Sequence, residues 1–184
     1  MNKKFLYLLA IAGIALLLSS CNKTSSITGT ITDETASAPG AVIVFTDLLT
    51  EKADTVQIVD GKFEYSCNAN DEGCFSVALV TDFNMRNNNN ALFIPEAGKI
   101  TINLNEPATV EGGKLNKALT EFVNGMTQIR DEAIGKFEEA RLLPQEEATV
   151  KMQEVQDNYS KAVREFSDKT IDANPNGFLG FYAL

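Results

Sequence analysis

Thr55-Val56-Gln57-Ile58-Val59-Asp60-Gly61-Lys62-Phe63-Glu64-Tyr65 is the stretch that decides the fold class of this 184-residue chain. Apolar and polar residues alternate on both sides of Asp60-Gly61, the period of a strand with one buried face. Asp-Gly readily takes the positive φ values of a two-residue hairpin turn. A loop of that length sets Ile58 against Phe63 and Val56 against Tyr65 on one face. Gln57 then meets Glu64, and Val59 meets Lys62, on the other. Pattern and turn agree on register, which predicts a hairpin with one apolar side.

Outward from this pair the same short alternating runs recur. Strands are expected near 27–32, 41–46, 55–59, 62–66, 74–80, 91–94 and 99–104, with a short run at 108–111. Together they make an antiparallel all-β unit over 27–111. Pro95-Glu96-Ala97-Gly98 is a turn sequence between two apolar runs. Gly29 within a strand points to a bulge or a close backbone approach, and Gly112-Gly113 lets the chain leave the sheet.

Past Lys114 the period becomes helical. Leu115, Leu119, Phe122, Met126, Ile129 and Ala133 fall on one stripe of a helix ending near Arg141. Pro144 suits the first turn of a second helix, with Glu146 and Glu147 complementing its N-terminal dipole. The second stripe is Met152, Val155, Tyr159, Ala162 and Phe166, and Asn174-Pro175 ends it. Two such helices with a tight connection predict an antiparallel helical hairpin over 114–173. Its stripes pack against each other and the sheet, leaving some apolar surface for a partner. The fold class expected is α+β: an N-terminal antiparallel β-sandwich or partly open sheet, then the hairpin, then an apolar segment 174–184.

The start of the chain reads as an address. Lys3 and Lys4 precede the apolar run Phe5 to Leu18, which is shorter than the roughly 20 residues that span a bilayer. It ends in Leu18-Ser19-Ser20-Cys21, which resembles a bacterial lipobox. The resemblance implies removal of residues 1–20, lipidation of Cys21 and a tether over 21–26. Several acyl chains on one Cys give stable attachment where one chain is marginal. Asn22 is not an Asp, and no acidic run follows Cys21. The expected location is the cell envelope of a Gram-negative bacterium, lipid-anchored and periplasm-facing, on the outer membrane.

Composition excludes much chemistry. The chain has no His and no Trp, 16 basic and 25 acidic side chains and a net charge of −9. Without His there is no imidazole-activated nucleophile and no imidazole metal site. The acidic balance argues against nucleic acid as a partner. Neither a metal nor a cofactor is expected. Asn68, Asn70 and Glu72 faintly resemble the start of a calcium loop, but the twelfth position is Leu79 where a bidentate acid is needed; a solvated turn is expected. Asn87 to Asn90 read as a polar loop. The pairs Glu138/Glu139 and Glu146/Glu147 read as solvated helix faces.

Cys67 and Cys74 flank a loop in a compartment that favours disulfides. A bond between them would close that loop. Alternation, however, puts Cys67 on the Phe63/Tyr65 face and Cys74 opposite Phe75, Val77 and Leu79. A disulfide, two separate buried thiols and a redox-active pair all remain open, although the spacing is not that of a Cys-x-x-Cys site.

The order of weak motifs resembles one family. After the lipobox come Ile27-Thr28-Gly29-Thr30-Ile31, the pair of runs around Asp60-Gly61-Lys62-Phe63, and Phe93-Ile94-Pro95-Glu96-Ala97-Gly98-Lys99-Ile100-Thr101-Ile102. Val110-Glu111-Gly112-Gly113 follows and leads into Leu115-Asn116. This is similar to the N-terminal domain of unknown function of Gram-negative envelope lipoproteins that usually carry a C-terminal thioredoxin-like thiol–disulfide oxidoreductase or peroxiredoxin-like domain. The resemblance implies that a helical hairpin separates the two domains. The Trp-Cys-x-x-Cys motif of the redox domain is missing: this chain has no Trp, and no Cys follows position 74. The expectation is therefore a chain that is not itself an enzyme, a tethered accessory or interaction module truncated before its redox domain. Its partners would be the membrane through Cys21 and a redox domain or envelope protein. The alternative is a stand-alone β-sandwich that binds a peptide, glycan or lipid.

Overall fold

A computed structural model describes residues 23–184 apart from 33, 71 and 82–89. The expected signal segment 1–20, Cys21 and Asn87 to Asn89 lie outside the described residues. Among the described residues eight strands precede three α-helices: β1 (Thr24–Thr30), β2 (Val42–Asp47), β3 (Ala53–Gln57), β4 (Lys62–Asn68), β5 (Phe75–Val80), β6 (Asn90–Phe93), β7 (Gly98–Asn103), β8 (Thr109–Glu111), α1 (Lys114–Arg141), α2 (Gln145–Ala173) and α3 (Phe178–Tyr182), with a 3-10 turn at Glu34–Ser37 between β1 and β2. The strands form two four-stranded sheets, ordered β4-β1-β7-β8 and β3-β2-β5-β6. The class is α+β, a two-sheet sandwich followed by a helical pair. Every pairing is antiparallel except β1 with β7, which is parallel, Ile27 lying beside Ile100. β1 begins three residues earlier than expected, so Thr24 to Ser26 are strand rather than tether and pair with Asn68 to Ser66.

The Asp60-Gly61 turn is present, with φ of 51° and 70°. The hairpin it was expected to close is not. One rung forms, Val59 N to Lys62 O at 2.9 Å and the reverse bond at 3.0 Å; then the strands part. β3 joins β2, with Val56 beside Ile43, while β4 joins β1, with Tyr65 beside Ile27. The inward set survives this correction because both sheets turn their apolar faces to one core. Phe63 is buried, Val56, Ile58 and Tyr65 pack at the margin of the core, and Val59 is 65% exposed. Gly29 is needed for the β1–β4 pairing. A Cβ there would lie 1.8 Å from the Phe63 ring, so the close approach is by an aromatic side chain rather than by backbone.

Phe45 of β2 occupies the middle of the sandwich, fully buried. It stacks on Tyr65 of the opposite sheet at 4.1 Å and meets Phe63 and Phe93 edge-on at 6.0 and 6.1 Å. Burying such a side chain contributes about 2–3 kcal/mol before the entropy of ordering it.

A second apolar cluster lies where the sandwich meets the helices: Cys74, Ile94, Leu119, Phe122, Phe178 and Leu179. α1 has 28 residues, about 42 Å at the usual rise. Leu142 and Leu143 link it to Pro144, which precedes α2 as its N-cap rather than entering the first turn. Phe122 and Phe166 stack between the helices at 5.6 Å and 1°. The ring of Phe166 lies against α1 at Gly125, where a Cβ would come within 2.3 Å of it. The apolar closing segment forms α3 and packs back onto this base.

Candidate functional site

Three of the segments that carry the family resemblance, Phe93 to Ile102, Val110 to Gly113 and Leu115-Asn116, meet at one joint. α1 starts poorly equipped: its N-cap is Gly113, no acid lies in its first turn, and no local side chain caps it. Helix N-termini leave amide groups that need acceptors. The turn between β6 and β7 provides them. Glu96 Oε1 accepts from Lys114 N at 2.8 Å, and Glu96 Oε2 accepts from Asn116 N at 2.8 Å. A carboxylate here also complements the positive end of the helix dipole. Gly113 has φ of 84°, and a Cβ on it would overlap the Glu96 carboxylate.

Asn116 completes the clasp from within the first turn of the helix. It is 1% exposed. Its Oδ1 accepts from Ile94 N at 2.8 Å, and its Nδ2 donates to Ile94 O at 2.8 Å and to Glu96 Oε2 at 3.0 Å. The side-chain amide thus pairs with the Ile94 backbone as a neighbouring strand would, where β6 has ended. Asn70 N bonds Pro95 O, and Ala69 N bonds Lys23 O, so the start of β1 is tied into the same end of the molecule. Sequence reasoning took Glu96 for a turn residue and gave Asn116 no role. The signal was available: a long helix opening on Gly-Gly, without a Ser, Thr, Asp or Asn cap, must find acceptors elsewhere.

The structure does not bring the two thiols together. Cys67 and Cys74 are both free. Cys67 packs at the margin of the sandwich core, whereas Cys74 is fully buried in the second cluster. This is the separate-thiol arrangement that strand alternation allowed. Burial first and the Asp47 carboxylate second push the Cys67 thiol up to about 11, with Ser25 opposing, its buried Oγ lacking a partner with good hydrogen-bond geometry. Burial also pushes Cys74 up to about 12, with Asp47 adding to it and the Phe93 backbone opposing. A reactive thiol needs the reverse, an electropositive and accessible setting that favours thiolate. Tyr65 is likewise raised, first by burial and then by its bond to Asp54 Oδ2 at 3.0 Å.

The turn at Asn68 to Gly73 is built by local bonds, Glu72 N to Asn70 Oδ1 and Gly73 N to Asn70 O at 3.0 Å each. Among the described residues no group of three or more Asp, Glu, Cys or His converges to hold a metal ion. Among them, too, no helix is long and apolar enough to cross a membrane. Cys21, the expected lipidation site, lies outside them.

Residues 25–119, just over half of the chain, match the family described as Domain of unknown function (DUF4369). No curated protein matches the chain, and no solved structure does.

Proposed function

The chain belongs to the DUF4369 family, and from that premise we propose that it is the non-catalytic accessory and interaction module of a membrane-tethered, periplasm-facing envelope lipoprotein, positioning a thioredoxin-like thiol–disulfide oxidoreductase domain or its partner. One observation carries the reading. Three of the segments in the resemblance, Phe93 to Ile102, Val110 to Gly113 and Leu115-Asn116, meet in a joint that fixes the helical hairpin to the sandwich. A joint of this kind sets the angle between two bodies, which is the work of a positioning module.

The tether belongs to the same proposal. Lipidation at Cys21 would put the acyl chains next to Lys23, whose carbonyl is bonded to Ala69 at the base of the hairpin. The base would then face the membrane.

Reading the gene beyond the codon for Leu184 tests the positioning role: a thioredoxin-like frame carrying Trp-Cys-x-x-Cys is expected, and a stop codon with no such frame nearby overturns it. Insulin-reduction assays on this chain should show no turnover. Turnover abolished by Cys67→Ser would overturn the non-catalytic reading. Metabolic labelling with radioactive palmitate should mark the protein and be lost in Cys21→Ser.

A further inference from the structure

The sandwich core and the cluster at the hairpin base do not fuse along their whole contact. On the side where both sheets end, β6 and β8 are the outermost strands, and α1 crosses in front of them. Between these elements runs a cleft of about 430 Å³, lined by Leu92, Pro107, Val110, Leu119, Val123 and Tyr182 among others. Its volume is that of small-molecule sites, which favour such seams between packed units.

The chemistry of the walls is selective. More than one residue in five of this chain is charged, yet among the described residues no Asp, Glu, Lys or Arg lines the cleft. The polar groups present are neutral, chiefly Asn90, Thr109, Thr120 and Asn124. An ion entering would shed water without meeting a counter-charge, which costs heavily. A neutral apolar molecule sheds nothing it needs and covers Val123 and Tyr182, 40% and 42% exposed at the rim. An amide or hydroxyl on it finds partners in Asn124 and Thr120.

We propose that the seam between the β6/β8 edge and α1 is a binding site for an uncharged, predominantly apolar small molecule, preferred over anions because the described residues of its walls are apolar or neutral. The site needs only this chain, so it stands or falls apart from the positioning role.

The test is a fluorescence titration of the purified chain with N-phenyl-1-naphthylamine, a neutral probe, against 8-anilinonaphthalene-1-sulfonate, its anionic relative. Cys21→Ser is run in parallel to remove any attached acyl chain as the source of binding. A saturable one-to-one rise with the neutral probe is expected in both proteins, with at least tenfold weaker binding of the anion. Thr120→Trp and Asn124→Trp change exposed helix positions, so the fold persists while the mouth is filled; each should weaken the neutral probe at least tenfold. Asn124→Lys adds a cation at the mouth and should narrow the preference. Absence of binding, equal binding of both probes, loss of binding in Cys21→Ser, or indifference to both Trp variants overturns the proposal.

Discussion

The two ends of the helical hairpin are made of similar residues and are held very differently. At the base, Leu119 and Phe122 are buried, Phe166 stacks on Phe122, α3 closes over them, and Asn116 with Glu96 bonds the helix to the β6–β7 turn. At the tip, Leu142 is 87% exposed and Val150 72%. The ion pairs along the helices are surface pairs with long exposed side chains, each contributing a few tenths of a kcal/mol at most. A shared 3.6-residue stripe therefore does not mean shared stability. The base belongs to the cooperative unit that includes the sandwich, whereas the tip is stabilised by the partner helix almost alone, the kind of region that opens locally at low cost.

The comparison breaks if substitutions at the base are mild. Asn116→Ala has the largest expected effect. It strands the buried N–H and C=O of Ile94, each worth about 1–3 kcal/mol when left unpaired, so a loss of about 3 kcal/mol should appear in urea unfolding. Next is Gly125→Ala. In an ordinary helix this change stabilises by about 1 kcal/mol, but here the new methyl overlaps the Phe166 ring, and overpacking should make it destabilise by about 1 kcal/mol net.

Alkali probes both apolar clusters at once. The Cys67 and Cys74 thiols hold their protons to about 11 and 12 when folded, against an ordinary value of 9. The folded state thus binds more protons between those values, and stability present in full below pH 9 is lost as pH rises through 11 to 12. The thermal midpoint should fall over that window. The double variant Cys67→Ala, Cys74→Ala should show a shallower fall.

Toward the tip the signs change. A methyl group on Gly135 would meet no other atom within 4 Å, so Gly135→Ala should stabilise by about 0.5–1 kcal/mol, the opposite of Gly125→Ala on the same helix. Val150→Ser should move the urea midpoint by less than about 0.5 kcal/mol, while leaving the amides of the base as slow to exchange as before.

What sequence revealed follows from the range of each interaction. The inward parity of Val56, Ile58, Phe63 and Tyr65 was legible because it depends only on strand period. Their pairing was not, because β4 chooses β1 over β3 through the packing of Phe63 on Gly29, a residue far upstream. The helix bounds at Arg141 and Ala173 were legible from stripe, dipole and Pro. For Cys67 and Cys74 the sequence left the pairing open, because alternation pointed them to different faces while the compartment and the short loop between them allowed a bond. The Glu96–Asn116 clasp was hidden because its two halves lie on either side of β7 and β8, and neither is unusual by itself.

The placement of β1 has a consequence for the order of events on the ribosome. It is the first described strand to emerge and an interior strand of its sheet, yet Ile27 has Tyr65 on one side and Ile100 on the other. Neither neighbour exists when β1 leaves the exit tunnel. The sheet containing β2, β3 and β5 can begin to assemble while β1 waits with both edges unpaired, and the parallel partner comes last. Such distant pairing slows folding and exposes strand edges, so the newly made chain depends longest on protection at β1.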